Sequence, residues 1–389
     1  MDARRLLILS LGIAVFITFT LDIVAQLFLV DISSTFNVTR GVASQIQITS
    51  SLAAIIFALL ISALSIRFKS KTLLTIGVLC IIVGAAGCFL APTFGLMQVF
   101  FPLNGVGSAI VIPMAMALIG ENYTIENRAK KIALITAAGG SAAFIAVPAM
   151  GLIAQLGTWR SSLLWFVLPV SIVALILAFL GIPSLNKEEP KVKEPYLSHY
   201  KQILLNRSAS TSLFGAMFHA FVPVMGSIYG IAFFRDTFSS SLNSGIGLVI
   251  GFAVSFTIGG FAAGRLVNKY GRKKMTVITV LLEGLCVILF TTIPLFSIAL
   301  VFSILAPLFG GMASTAINSL LLEQAPKSRG TMMSLRSAFG NLGIFLGVAV
   351  GGVALDGFGY PILGIILGTM GILSASLFYF LTKDTTQIG

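Results

Sequence analysis

The chain has 389 residues, of which 57% are apolar and only 10% charged, and its mean hydropathy is +1.02; such a balance excludes a soluble globular protein. The net charge of +12 comes without any basic stretch interleaved with aromatics outside short loops, which argues against a nucleic-acid partner. No G-x-x-x-x-G-K-[ST] loop marks an ATP-driven machine, and no nucleophile–base pair, acid cluster or metal-ligand spacing marks an enzyme, so neither cofactor nor metal is expected.

A bilayer-crossing helix needs roughly 20 apolar residues. Runs of that kind extend over Leu6–Val30, Val42–Ser65, Thr72–Leu90, Phe94–Ile119, Ile132–Leu156 and Ser161–Gly181. A polar break follows at residues 183–208, carrying Lys187, Glu188, Glu189, Lys191, Lys193, Glu194, Lys201 and Arg207. It has too many charges for hydrocarbon and too few apolar residues for a domain, and reads as a cytoplasmic linker. Six more runs follow: Ser210–Phe234, Ser241–Val267, Met275–Ile293, Phe296–Leu322, Thr331–Leu355 and Gly357–Leu381. The fold class is therefore an all-α polytopic membrane protein of twelve transmembrane helices, in two six-helix bundles at 1–182 and 209–389.

Most of the 25 basic residues fall on one side of these spans. They include Arg4 and Arg5, then Arg67, Lys69 and Lys71, then Arg128, Lys130 and Lys131, the linker, Arg265 to Lys274, Lys327 and Arg329, and Lys383. Only Arg40, Arg160 and Arg235 fall on the other side, and Arg336 lies within a span. Positive residues stay inside, so a multi-pass protein of the cell membrane with both termini cytoplasmic is expected. The first run is long and holds an acid, unlike a cleavable signal peptide. Cys80, Cys88 and Cys286 lie in apolar spans and read as packing residues.

The halves superpose on a shift of about 202 residues. Residues 64–71 (LSIRFKSK) fall on 266–273 (LVNKYGRK), and Glu121 falls on Glu323. One residue of slippage later, Gly139 meets Gly340 and Trp159-Arg160 meets Tyr360-Pro361. Because each half has an even number of spans, the repeats are parallel and enclose a central cavity.

In the second half Gly264, Asn268, Gly271, Arg272 and Lys273 keep the spacing G-x-x-x-D-x-x-G-[RK]-[RK]. Gly157-Thr-Trp159-Arg160 forms a G-W-R-like turn, and Pro148 and Gly151 follow part of a G-P-x-x-G-G pattern. On these residues, and along essentially its whole length, the chain resembles the major facilitator superfamily, most closely the twelve-helix drug:proton antiporters. The resemblance implies alternating access, gating at the motif just named together with Arg336, protons as a partner, and a small-molecule substrate moved through the bilayer by a monomer. The first-half loop departs from the pattern with Ser62, Ile66 and Lys69, so a different contact would close that gate. Phe101 stands where the group carries an arginine.

Asp22 is the single acid within the first apolar run. A charge there costs roughly 2.5–3.5 kcal/mol on insertion scales, so such a residue marks a proton, cation or substrate site. Thr18, Asp22 and Gln26 share one helical stripe, Ser44, Gln47 and Ser51 another, and residue counts put Asp22 and Gln47 at similar depth. The alternative is a neutral Asp22, hydrogen-bonded to Gln47 or a backbone carbonyl for packing. His219, one turn before Pro223, is a second-half candidate for the same cavity or a hydrogen-bonded packing residue. Asn104 and Asn318 add amides to the cavity or act as interhelical glue. Glu283 sits on a span that the resemblance makes peripheral. Gly343, Gly347 and Gly351 form a small-residue stripe, either static packing or a sliding interface.

These residues are read as a secondary transporter for proton-coupled efflux of lipophilic or cationic compounds, with Asp22 as the proton or cation site. The alternative is a symporter or facilitator for a polar metabolite such as a sugar, nucleoside or organic anion; a non-transporting receptor is more remote. A lone acid among 31 phenylalanines and 12 methionines, with only two tryptophans, suits a lipophilic cation better than a sugar.

Overall fold

The computed structural model describes residues 3–123, 131, 134–135, 137–182, 196–325 and 329–383, and every regular element among them is helical. That follows from the composition, since a helix satisfies its own backbone polar groups where lipid offers none. The helices are α1 Ala3–Leu27, α2 Arg40–Arg67, α3 Ser70–Leu90, α4 Phe94–Asn122, α5 Ala137–Gln155 and α6 Trp159–Gly181. They continue with α7 Arg207–Phe238, α8 Leu242–Tyr270, α9 Arg272–Thr292 and α10 Phe296–Gln324. A last run, 329–381, turns at Gly359 (φ 78°, ψ −177°), which separates α11 (329–358) from α12 (360–381). Among the described residues eleven runs are long and apolar enough to span a bilayer, and dividing the longest at Gly359 gives the expected twelve.

Several spans expected to be continuous are irregular. α1 bends at Phe28 and continues as Leu29–Phe36, past the expected end at Val30, until Asn37 closes it in a left-handed cap whose N–H bonds to Ser33 and Ser34. α4 is irregular at Phe101, ahead of Pro102, although Phe101 keeps helical dihedrals (φ −59°, ψ −37°) and its bond to the Met97 carbonyl. α6 holds a π turn at Leu163–Val167 and α7 another at Met225–Tyr229, just after Pro223. A proline ring displaces the preceding turn and removes a hydrogen bond, so the irregularities beside Pro102 and Pro223 have a local cause in the chain. The expected linker also holds a helix, Tyr196–Leu205, after which Asn206 caps α7 by accepting from the amides of Ser208 and Ala209. Its charged residues from Lys187 to Glu194, like Arg128, Lys130 and Lys327, lie outside the described residues.

The chain packs as two compact units, Met1–Val38 with Ala43–Lys191, and Thr39–Val42 with Val192–Gly389. Leu11, Ile17, Leu21 and Phe28 are fully buried in the first; Tyr229, Phe234, Phe290 and Phe378 are fully buried in the second. Large apolar side chains also cover the outside: Leu180, Phe261, Val353 and Phe380 are 74–80% exposed. Such a surface is a liability in water and neutral against lipid tails.

The repeat read from sequence returns as paired contacts. The first residue of α3, Ser70, donates to Glu121 near the end of α4 at 2.6 Å. At the equivalent places in the second unit, Arg272 pairs with Glu323 at 3.0 Å. Near the opposite helix ends, Trp159 Nε1 donates to Thr35 at 2.9 Å, and Tyr360, its repeat equivalent, donates to Asp236 at 2.7 Å. Replacing Trp159 by Phe removes one such contact, and a loss of about 1 kcal/mol is expected, read as a lower unfolding midpoint of the purified protein.

Candidate transport site

The site is built inside the first unit. α1 presents Asp22, and α2 and α4 bring one amide each: Gln47 Nε2 donates to Asp22 Oδ1 at 3.3 Å, and Asn104 Nδ2 donates to the same oxygen at 3.1 Å. α2 and α4 meet here backbone to backbone, since a Cβ on Gly105 would lie 2.0 Å from the Ser50 carbonyl oxygen. That contact sets how close Asn104 comes to α2. Asn104 is buried while Asp22 keeps partial exposure. No cation pairs with Asp22 among the described residues.

The carboxylate is thus held by two neutral donors, and no fixed positive charge among the described residues neutralises it. Gln47 Oε1 and Asn104 Oδ1 are themselves buried without a partner among the described residues, at a cost of about 1–3 kcal/mol each. Two unused acceptors beside an unpaired carboxylate make a site for a proton, an ammonium-like group or an N–H donor.

The other expected members divide. Thr18 is buried, and its hydroxyl donates to its own helix at the Val15 carbonyl (2.7 Å), so its proton is not available to the site. Gln26 is partly exposed one turn beyond Asp22, with no hydrogen bond between them. His219 is not an open cavity residue: it is 6% exposed and its Nε2 lies 2.8 Å from Glu283 Oε2. Sequence reasoning named both residues but missed the pair. Asn318 Oδ1 and Arg336 Nε in the second unit are buried without partners among the described residues.

At the expected gating motif, Gly271 adopts φ 88°, ψ 148° between α8 and α9. This region is almost closed to other residues, and Gly271→Ala is expected to cost about 1–3 kcal/mol, measurable as a drop in thermal midpoint. Arg272 is tied to Glu323, Lys273 lies over the Tyr379 ring at 5.9 Å, and Gly264 is exposed. The side chains of Asn268, Ser62 and Ile66 lie outside the described ones. The stripe of Gly343, Gly347 and Gly351 packs on α7, against Met217, Phe221 and Tyr229.

Two helical units with matching end contacts and an apolar exterior, and, among the described residues, an intramembrane carboxylate without a cation against it, define a polytopic membrane protein with the makings of a transporter. Residues 11–255 and 208–388 each match the Major Facilitator Superfamily, and the chain belongs to that superfamily. Among its relatives is Multidrug resistance protein 2 of Bacillus subtilis (strain 168), 24% identical over 272 residues that cover 67% of each chain. The fold is shared with a D-xylose–proton symporter (TM-score 0.82, 15% identity, 99% of each chain). It is also shared with the nucleoside transporter NupG (TM-score 0.77, 14% identity, 97% of this chain and 98% of that one).

Proposed function

We propose that this transporter works by alternating access as a monomer in the cell membrane, with both termini in the cytoplasm, and exports small lipophilic cations in exchange for protons. The observation that carries this reading is Asp22, a partly exposed carboxylate held by two amides with no fixed cation against it among the described residues. Either a proton or a monovalent organic cation neutralises it, and neither can occupy it together with the other at low cost. At Asp22 itself one cation replaces one proton, and the pH difference that drives this step is worth about tenfold in concentration per unit. The likeness to a protein named for multidrug resistance supports export of drug-like compounds.

The test is accumulation of ethidium by cells lacking their own efflux pumps. Cells expressing the transporter are expected to hold several-fold less dye than controls while energised, and as much as controls once a protonophore is added. Equal accumulation under both conditions would refute export.

A second reading has one observation in its favour. Arg336, half-buried in α11, has no carboxylate against it and an unpartnered Nε among the described residues. An anionic polar metabolite would supply that partner. Under this reading, Arg336→Gln would raise the half-saturation concentration for an organic anion and leave ethidium export untouched.

A further inference from the structure

His219 and Glu283 come from α7 and α9, 64 residues apart, and meet at 2.8 Å with side chains 8% and 3% exposed. Burial penalises net charge, and the pair is net neutral with one proton, whether the imidazole or the carboxyl carries it. Removing that proton leaves a buried anion; adding a second leaves a buried cation. Each step is strongly penalised in the dry interior unless water enters.

The pair lies beside an irregular stretch of α7. His219 is the last residue of the regular segment Arg207–His219; Ala220 and Phe221 follow as a turn, then Pro223, then the π turn. Pro223 has no N–H to offer the His219 carbonyl four residues earlier. On the other side, α10 clamps the carboxylate: a Cβ on Gly310 would lie 2.7 Å from Glu283 Oε1. α11 lies tightly on the same break, where a Cβ on Gly343 would lie 2.2 Å from the Met217 carbonyl oxygen. A bend of α7 at this point that carried His219 away from α9 would part it from Glu283 and admit water.

No other group among the described residues competes for this role. On α9 the nearest ionisable side chain is Cys286, one turn away. On α7, Tyr229 donates to the Val348 carbonyl at 3.1 Å. Arg207 and Arg235 stand near the ends of α7, as do Arg272, Lys273 and Lys274 at the start of α9. On α10 Glu323 is tied to Arg272. On α11 Asp356 receives the Gly41 amide at 3.0 Å, and Arg336 lies near the start. On α12 Tyr360 donates to Asp236 and Tyr379 faces Lys273.

We propose that His219 and Glu283 form a second proton-binding site, in the second unit, that holds one proton while α7 is closed at its break and exchanges it with water when α7 opens. This deepens the exchange reading and rests on it. The step is a proton transfer only: the pair gives its proton to water on one side and takes one from water on the other.

The test counts protons released when tetraphenylphosphonium is added to the purified protein in lightly buffered solution. His219→Gln and Glu283→Gln are each expected to release one proton fewer than the wild type, and the double variant no fewer than either single one. A second measurement needs no change at the pair. The chain has two histidines, so His199→Gln leaves His219 as the sole imidazole, and its nitrogen resonances are expected to shift on tetraphenylphosphonium binding. Proton release that Asp22→Asn abolishes but the pair variants leave intact, or an unmoved His219 resonance in a protein that releases protons, overturns this proposal and leaves exchange standing. Wild-type protein that binds tetraphenylphosphonium without releasing protons overturns the exchange reading and the proposal with it.

Discussion

Asp22→Asn is expected to abolish proton-driven accumulation of ethidium in inverted membrane vesicles while the protein still inserts and folds. The substitution keeps shape and both amide contacts, from Gln47 and Asn104, and it lowers the cost of placing the residue in hydrocarbon. What it removes is the one negative charge in the site. A proton and a cation then have nothing to compete for, so the tenfold concentration that one pH unit supports falls to none. Asp22→Glu keeps the charge but moves it by a methylene, and partial activity is expected. Rates measured at matched protein levels in the vesicles decide the case: an Asp22→Asn protein that still concentrates ethidium would remove Asp22 from the mechanism.

The second large effect is expected at Gly105, which lies beside the site and carries no side chain into it. Its Cα faces the Ser50 carbonyl so closely that a Cβ would lie 2.0 Å from that oxygen. The obstacle is backbone and no rotamer change relieves it, so α2 and α4 must separate. Gly105→Val is expected to cost about 3 kcal/mol, the upper part of the range for overpacking. Because Asn104 is the neighbouring residue, the same shift carries its amide away from Asp22. The thermal midpoint should fall, and tetraphenylphosphonium should bind more weakly to the fraction that remains folded. A Gly105→Val protein with wild-type midpoint and affinity would show that this helix contact does not position the site.

The spans and the repeat were legible because their signals are local: apolar length, basic loops and a displacement that carries Ser70-to-Glu121 onto Arg272-to-Glu323. The approach of Asp22 and Gln47 was legible too, since counting residues from the helix ends fixes depth. Thr18 shows the limit of periodicity, which places a hydroxyl on a face but does not reveal that its own Val15 carbonyl takes it. The irregularities in α4 and α7 had a visible cue in Pro102 and Pro223, yet hydropathy alone reads through them. The His219–Glu283 contact had no sequence cue beyond two lone polar residues in apolar runs, because it depends on which faces of α7 and α9 meet.

The central claim is exchange at Asp22, and the most direct measurement is ethidium flux in proteoliposomes under an imposed pH difference of either sign, with wild type and Asp22→Asn side by side. Wild-type flux should run opposite to the proton gradient, reverse when the gradient is reversed, and vanish in the variant. Flux that follows the protons, ignores the gradient or survives the loss of Asp22 would contradict it.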